Sequence, residues 1–229
     1  MIFFYKFIKI ILFLLNNKCF TQSFSMNLPL VTISIPIYHC ENHIISCLQS
    51  VVNQIYENIE IQLVDDLGND NSMQMAEGFI KEHPDFNFKI LKNEKNAGLS
   101  VVRNVGIDNA QGKYIFFLDS DDEITPDCIS KMVEIAEREQ VEMVCGNTIG
   151  YKVSNKISKE LFIIKSEKDI ITNADDAFDS FINGEYPVNS CNKLIRVDFL
   201  KKNKLYFTRD LFAQDSLQSF ETALKLQRI

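Results

Sequence analysis

The chain has no C-x-x-C pair: its six cysteines fall at positions 19, 40, 47, 128, 145 and 191. No Cys/His set with zinc spacing follows the pair His39 and His43, which leaves those histidines as solvated or capping groups. Several cysteines sit inside apolar periodic stretches, where a reduced thiol acts as a small hydrophobe in a cytosolic protein. There is no surplus of positive charge either. With 24 Lys+Arg against 31 Asp+Glu the net charge is -7, which excludes a general nucleic-acid binder, because phosphate backbones demand a basic surface. An anionic ligand would need a metal or local positive groups. Repeats and low-complexity tracts are absent, and 229 residues with 46% hydrophobic content suit one globular domain. The apolar run "IFFYKFIKIILFLL" near the N-terminus is short for a membrane span, has no basic region before it and no small-residue cleavage site after it. Residues 1–25 are therefore expected to be an upstream extension, with translation beginning at Met26; an uncleaved membrane-proximal anchor is the alternative.

What is present, from residue 26 onward, is an alternation of strand-like and helix-like patterns that predicts an α/β fold with a mostly parallel sheet. Five strands are expected, at 31–37 (VTISIPI), 59–65 (IEIQLVD), 87–91 (NFKIL), 113–119 (KYIFFLD) and 141–146 (VEMVCG). Ile44, Leu48, Val51, Val52 and Ile55 share one helical face, and Ile129, Met132, Val133 and Ala136 share another, on a helix opened by Thr125 and Pro126. Right-handed crossovers would put every strand C-terminus on one edge, where open parallel sheets bind ligands. Residues 147–190 read as a smaller, irregular and variable segment, and 215–226 as a helix.

That edge is where the unusual residues fall. "IFFLDSDDEITP" (115–126) runs an apolar strand into Asp119, Asp121, Asp122 and Glu123. Carboxylates this close raise one another's pKa and resist burial unless a cation or hydrogen-bond donors balance them. Asp119, Asp121 and Asp122 supply hard oxygen ligands of the kind that hold Mg²⁺ or Mn²⁺; capping of the following helix is the competing use. An EF-hand is excluded, since Ile124 and Ser130 stand where Gly and Glu are required. A D-x-D-x-[TV] phosphatase motif fails at Glu123. Asp65 and Asp66, at the end of the second strand, are placed to accept from the imide or amino group of a base, while Asp70, Asn71 and Ser72 suit a turn and helix cap. Arg103, on the helix leading to the Asp-rich strand, either answers diphosphate or carboxylate charge with its planar fork or makes a surface ion pair.

The ordered set "TISIPIYHCENHIISCLQSVVNQIYENIEIQLVDDLGNDNS", "NAGLSVVRNVGIDNAQGKYIFFLDSDDEITP", "CNKLIRVDFLKKNKLYF" and "AQDSLQSFETAL" resembles the blocks of the family-2 glycosyltransferases, inverting enzymes with the A-type nucleotide-sugar fold, from about Val31 to Leu226. The resemblance implies a Rossmann-like, mostly parallel sheet flanked by helices, with a nucleotide-sugar-binding part at 31–146 and an incomplete acceptor-side part at 147–229. It implies that Pro36, Tyr38 and Glu41 lie in the nucleotide pocket, that Asp66 faces the base with Asp65 supporting it, and that Asp119 and Asp121 form the D-x-D metal motif. Asp121 is then the best metal ligand, and Asp122 lines the donor-sugar site. Asp215 matches the general base. The cofactor is Mn²⁺ or Mg²⁺, and the partners are a nucleotide-sugar donor, expected to be a UDP-sugar, and a glycan or lipid-linked acceptor in cell-surface polysaccharide synthesis. The expected location is the cytoplasm, with peripheral association at the inner face of the membrane as the option that a lipid-linked acceptor opens.

Three departures from the family pattern bear on these expectations. His39 stands where Asn often follows the first-strand Tyr, Leu67 precedes Gly68 where Gly-Ser is common, and Gln214 replaces the Glu that often precedes the base. Asp215 and Gln218 also fit a D-x-x-Q capping box. Because similar enzymes continue beyond this block, the alternative to an active transferase is an inactive truncated module that retains nucleotide-sugar binding. A sugar nucleotidyltransferase is disfavoured because "PIYHCENH" supplies no Gly-rich, Arg-containing loop after the first strand.

Overall fold

A computed structural model describes residues 28–152 and 157–229; the reading of residues 1–25 as an extension lies outside the described residues. Strands β1 (Val31–Ile37), β2 (Ile59–Asp65), β3 (Asn87–Lys92), β4 (Tyr114–Phe117), β5 (Met143–Cys145), β6 (Thr148–Lys152), β7 (Ile157–Phe162) and β8 (Lys193–Arg196) are joined by helices α1 (Ile44–Val52), α2 (Ser72–Glu82), α3 (Leu99–Asn109), α4 (Cys128–Glu139), α5 (Ala174–Ile182), α6 (Val197–Asn203) and α7 (Gln214–Ala223). The main sheet has six strands in the order β3-β2-β1-β4-β8-β5, and β6 pairs with β7 separately. β1, β2, β3 and β4 pair in parallel. The reversal of order on either side of β1 creates the crevice at which such sheets bind ligands.

The two faces of the sheet are chemically different, and period-2 alternation explains why. Ile33, Ile35, Ile61, Leu63, Tyr114 and Phe116 point to one side, where they pack with Cys47, Leu48, Ile129 and Val133 from α1 and α4. On the other side β4 contributes Ile115 and Phe117, which pack with Ile107, Ile195 and Leu200. β1 and β2 contribute buried polar groups there. The Glu60 carboxylate accepts from Thr32 Oγ1 (3.0 Å) and Gln62 Nε2 (2.8 Å), and the Thr32 hydroxyl accepts from the Gly112 amide (3.0 Å). Gly106 lets α3 lie close over this strip, since a Cβ there would stand 2.3 Å from Ser34 Oγ.

All five expected strands form, and a sixth joins the main sheet. β8 inserts between β4 and β5 and runs antiparallel to both. The expectation that every strand C-terminus shares one edge therefore needs correction, because β8 brings its N-terminal end, and the 3₁₀ turn Ser190–Asn192, to that edge. Residues 147–190 are more regular than expected: they hold the antiparallel pair β6 and β7 and helix α5, whose cap Asn173 accepts from the Asp176 amide at 2.9 Å. The helix after the Asp-rich stretch begins at Cys128; the Cys128 amide donates to the Thr125 carbonyl at 2.9 Å, so Thr125–Asp127 form the preceding turn. Among the described residues no helix is long and apolar enough to cross a membrane.

Candidate active site

At the C-terminal edge of β1, β2 and β4 lies a cavity of about 450 Å³, bordered by Pro36 in the last pleat of β1 and Tyr38 just after it, Asp66 after β2, Gly98 at the start of α3, and Asp119 and Asp121 after β4. This volume falls within the range of small-molecule sites. Tyr38 is half exposed and stacks on His39, with ring centroids 4.2 Å apart.

Asp66 is 3% exposed. Its Oδ1 accepts from Asn93 Nδ2 (2.7 Å) and the Ala97 amide (2.9 Å), and its Oδ2 from the Gly98 amide (2.9 Å). Asn96 Nδ2 donates to its carbonyl at 3.2 Å. One buried carboxylate thus shapes the 93–98 loop, and its Oδ2, which takes one donor, keeps acceptor capacity in a residue that lines the cavity. Gly98 is needed there, since its φ of +81° lies in the region that L side chains avoid. Asp65 points elsewhere: its Oδ1 accepts from the Leu67 amide (2.9 Å), and Lys92 Nζ lies 3.8 Å from its Oδ2. Glu41 does not line the cavity. Its Oε2 accepts from the Asn71 amide (3.1 Å), and its own amide donates to Asp70 Oδ2 (3.2 Å), tying the β1 loop to the start of α2. Asp70 also accepts from the Ser72 amide (3.3 Å) and hydroxyl (2.6 Å), so the expected turn forms, whereas Asn71 at the N-cap makes no side-chain cap bond.

Arg103 joins the remaining carboxylates. Its side chain is 2% exposed, with Nη2 2.9 Å from Asp119 Oδ1 and Nη1 2.5 Å from Asp215 Oδ1. The guanidinium lies over Phe207, 5.2 Å from the ring centroid. Ser190 Oγ donates to the same Asp215 oxygen at 2.8 Å. Asp215 sits in the first turn of α7 and its carboxylate caps no amide there, so the capping-box use does not form. Among the described residues no hydrogen bond reaches Asp215 Oδ2.

Asp119, Asp122 and Cys191 present ligand atoms within 4.8 Å of one another. Burial, and then the charges of Asp119 and Asp121, push the Asp122 carboxyl up from its ordinary value. Burial, and then Asp119, push the Cys191 thiol up to about 11, so it remains S–H and the hard donors are the carboxylates. A divalent cation fits this donor set, because among the described residues Arg103 is the one buried cation paired with it, through Asp119. Asp121 is exposed and lines the cavity, whereas Asp122 is half-buried and faces Cys191.

The sequence reading missed Asn93, Asn96, Gly98, Ser190 and Cys191. The first three lie in or beside the N-x-G turn that opens α3, a legible helix-start signal. Ser190 and Cys191 carried none, because only the antiparallel β8 brings them to this edge.

Comparison with known proteins bears on the family and the fold. Residues 32–202 match the model of glycosyl transferase family 2. The chain is 33% identical over 182 residues to the putative glycosyltransferase EpsH of Bacillus subtilis, covering 80% of this chain and 51% of that protein. It is 36% identical over 125 residues to the glycosyltransferase GlyA of Streptococcus pneumoniae, covering 54% and 17%. Among solved structures, S. aureus TarS 1-349 in complex with UDP-GlcNAc superposes with a TM-score of 0.73 at 22% identity, covering 87% of this chain and 55% of that one. The mannosyltransferase PcManGT of Pyrobaculum calidifontis, in complex with GDP-Man and Mn²⁺, superposes with a TM-score of 0.63 at 17% identity, covering 87% and 53%. The chain thus spans about half the length of EpsH and of the TarS fragment. From the family match and the sheet it folds into, the chain belongs to glycosyl transferase family 2, with a mostly parallel sheet flanked by helices as in its structural neighbours.

Proposed function

We propose that the protein transfers a sugar from a UDP-sugar to a glycan or lipid-linked acceptor with inversion, in cell-surface polysaccharide synthesis at the cytoplasmic face of the membrane. The observation that carries this reading is the bridge made by Arg103, which sets Asp215, from the far end of the chain, beside the Asp-rich end of β4. Asp66 and Tyr38 receive the base, and the cavity between them and Asp121 takes the ribose and diphosphate. Asp119, Asp121 and Asp122 would hold Mn²⁺ or Mg²⁺, which when bound offsets diphosphate charge and eases its departure. Asp215 Oδ2 takes the proton of the acceptor hydroxyl as that oxygen attacks the anomeric carbon, while Arg103 and Ser190 fix the orientation through Oδ1. A single displacement inverts the centre, so no covalent nucleophile is needed.

The test is calorimetric titration of UDP with and without Mn²⁺, GDP serving as control, paired with UDP release from a panel of UDP-sugars. Asp121→Ala is expected to abolish metal-dependent UDP binding, and Asp215→Asn to keep binding and stop UDP release. Equal loss of binding in both variants contradicts the division of roles. Metal-dependent UDP binding in a wild-type protein that releases UDP from no UDP-sugar identifies an inactive nucleotide-sugar-binding module instead.

A further inference from the structure

Lys193, the first residue of β8, is 2% exposed. A buried ammonium without partners is costly enough that one found in a fold is held by hydrogen bonds. Its Nζ donates to the Pro187 carbonyl (2.7 Å), to the Asn189 carbonyl, and to Asn192 Oδ1 (3.2 Å). Three donors thus meet three acceptors, and all three acceptors belong to the loop that precedes the strand. The ammonium is the internal post around which residues 187–192 are wound. Two further fastenings bind the same loop to its neighbours. Asn192 exchanges bonds with Gly146 at the end of β5, each 2.8 Å long, and Ser219 Oγ on α7 donates to the Val188 carbonyl at 2.5 Å.

This loop carries Ser190, which is 1% exposed and donates to Asp215 Oδ1, and Cys191, which lies against Asp119 and Asp122. We propose that Lys193 is a positioning residue for the reaction. By holding the loop from inside, it sets the Ser190 hydroxyl on Asp215 Oδ1, so that the other carboxylate oxygen is the one left for the acceptor. The proposal rests on the reading of Asp215 as the base. An apolar side chain of similar length would fill the same space but leave the two carbonyls and the Asn192 oxygen buried without a donor, and the loop would shift to find others.

The experiment uses the full chain with Lys193→Met, Ser190→Ala, the double variant and Asp215→Asn. UDP affinity with Mn²⁺, kcat for UDP release from the best of UDP-Glc, UDP-Gal, UDP-GlcNAc and UDP-GalNAc, and the rate of Cys191 alkylation by iodoacetamide, read by peptide mass spectrometry, are measured on each. Lys193→Met is expected to keep the UDP Kd within about twofold, to lower kcat by no more than about tenfold, because it acts through the Ser190 contact with Asp215, and to speed Cys191 alkylation several-fold. Ser190→Ala is expected to lower kcat about tenfold, the effect of one hydrogen bond to a charged group. The double variant is expected to be no slower than Ser190→Ala alone, because both act through one contact. Multiplicative losses, an unchanged kcat, or a UDP Kd lost in parallel with kcat would overturn the proposal. If Lys193→Met does not fold, Lys193→Gln, whose amide replaces two of the three donors, is expected to fall between it and wild type in both kcat and alkylation; wild-type values in both overturn it. If Asp215→Asn retains UDP release, or the wild type shows none, the base reading fails separately. The alkylation rate then decides whether Lys193 orders the loop, and an unchanged rate refutes that.

Discussion

Replacing Asp122 by Asn is expected to make the metal-free protein more stable, against the usual direction for a substitution in a well-formed site. The two side chains have the same shape, and Asn keeps an acceptor for the Cys191 thiol, so the main change is one negative charge. Ligand atoms of Asp119 and Asp122 lie within 4.8 Å. At that distance two unit charges repel by about 3.5 kcal/mol at an effective dielectric of 20 and by about 0.9 kcal/mol in water. The site is half-buried, and Arg103 offsets part of the Asp119 charge, so removing the repulsion should gain about 1.5 kcal/mol. For a chain of this size that raises Tm by about 3–6 °C. The pH dependence fixes the cause. Because the folded carboxyl is held above its ordinary value, by burial first and then by Asp119 and Asp121, the native state binds its proton more tightly than the unfolded chain does. The wild type then loses stability relative to Asp122→Asn as pH rises from the unfolded value, near 3.9, through the raised folded value, and the gap is constant above it. Thermal melts in EDTA between pH 3.5 and 8 test this. Added Mn²⁺ should reverse the order, since binding to the native state stabilises only the protein that keeps its ligands. A variant that melts at or below the wild type in EDTA at pH 7, or a gap that does not close in acid, refutes the electrostatic account.

Three further outcomes follow from the same structure. Ala213 sits at φ +56°, exposed, just before α7; Ala213→Gly should relieve about 1 kcal/mol of backbone strain, seen as a higher urea midpoint with unchanged m-value. Gly112→Ala should destabilise by about 3 kcal/mol or more, because the new Cβ would stand 2.6 Å from the Thr32 amide nitrogen and the Tyr114 carbonyl and 2.8 Å from the Leu30 carbonyl, all backbone atoms; a urea melt near the wild-type midpoint would contradict this. Arg103→Lys keeps the charge but replaces the planar fork, whose Nη2 and Nη1 reach Asp119 and Asp215 separately, by a shorter side chain ending in one nitrogen, so it should cost about 2–4 kcal/mol of stability and lower UDP release more than UDP affinity; wild-type turnover would show that the bridge is dispensable.

Local pattern sufficed for much of this. β1 and β2 form over the expected residues, and Asp119 and Asp66 fall at strand ends, because an apolar run ending in a carboxylate fixes both the element and its polar terminus. α4 starts later than expected because Thr125 and Pro126 serve the turn that precedes it. β8 escaped detection for a different reason: "KLIR" is short and bounded by two basic residues, and Lys193 is buried only because the preceding loop supplies it with oxygens. Arg103 illustrates the same limit. Its position on a helix was legible, but its place between Asp119 and Asp215 depends on pairing across 112 residues of chain.

By itself the sequence determined the class of fold and the carboxylates that gather at the C-terminal edge of β2 and β4, since side-chain period and strand-end composition are local properties. Only the tertiary structure decided which carboxylates share a cation, that Glu41 and Asp65 brace loops beside the cavity, and that Ser190, Cys191 and Lys193 belong to the site. The gathering of Ser190, Cys191 and Lys193 follows from β8 pairing antiparallel between β4 and β5, and the bracing by Glu41 from contacts across 30 residues of chain, long-range contacts whose stabilisation comes from burial and hydrogen bonds that no local stretch contains.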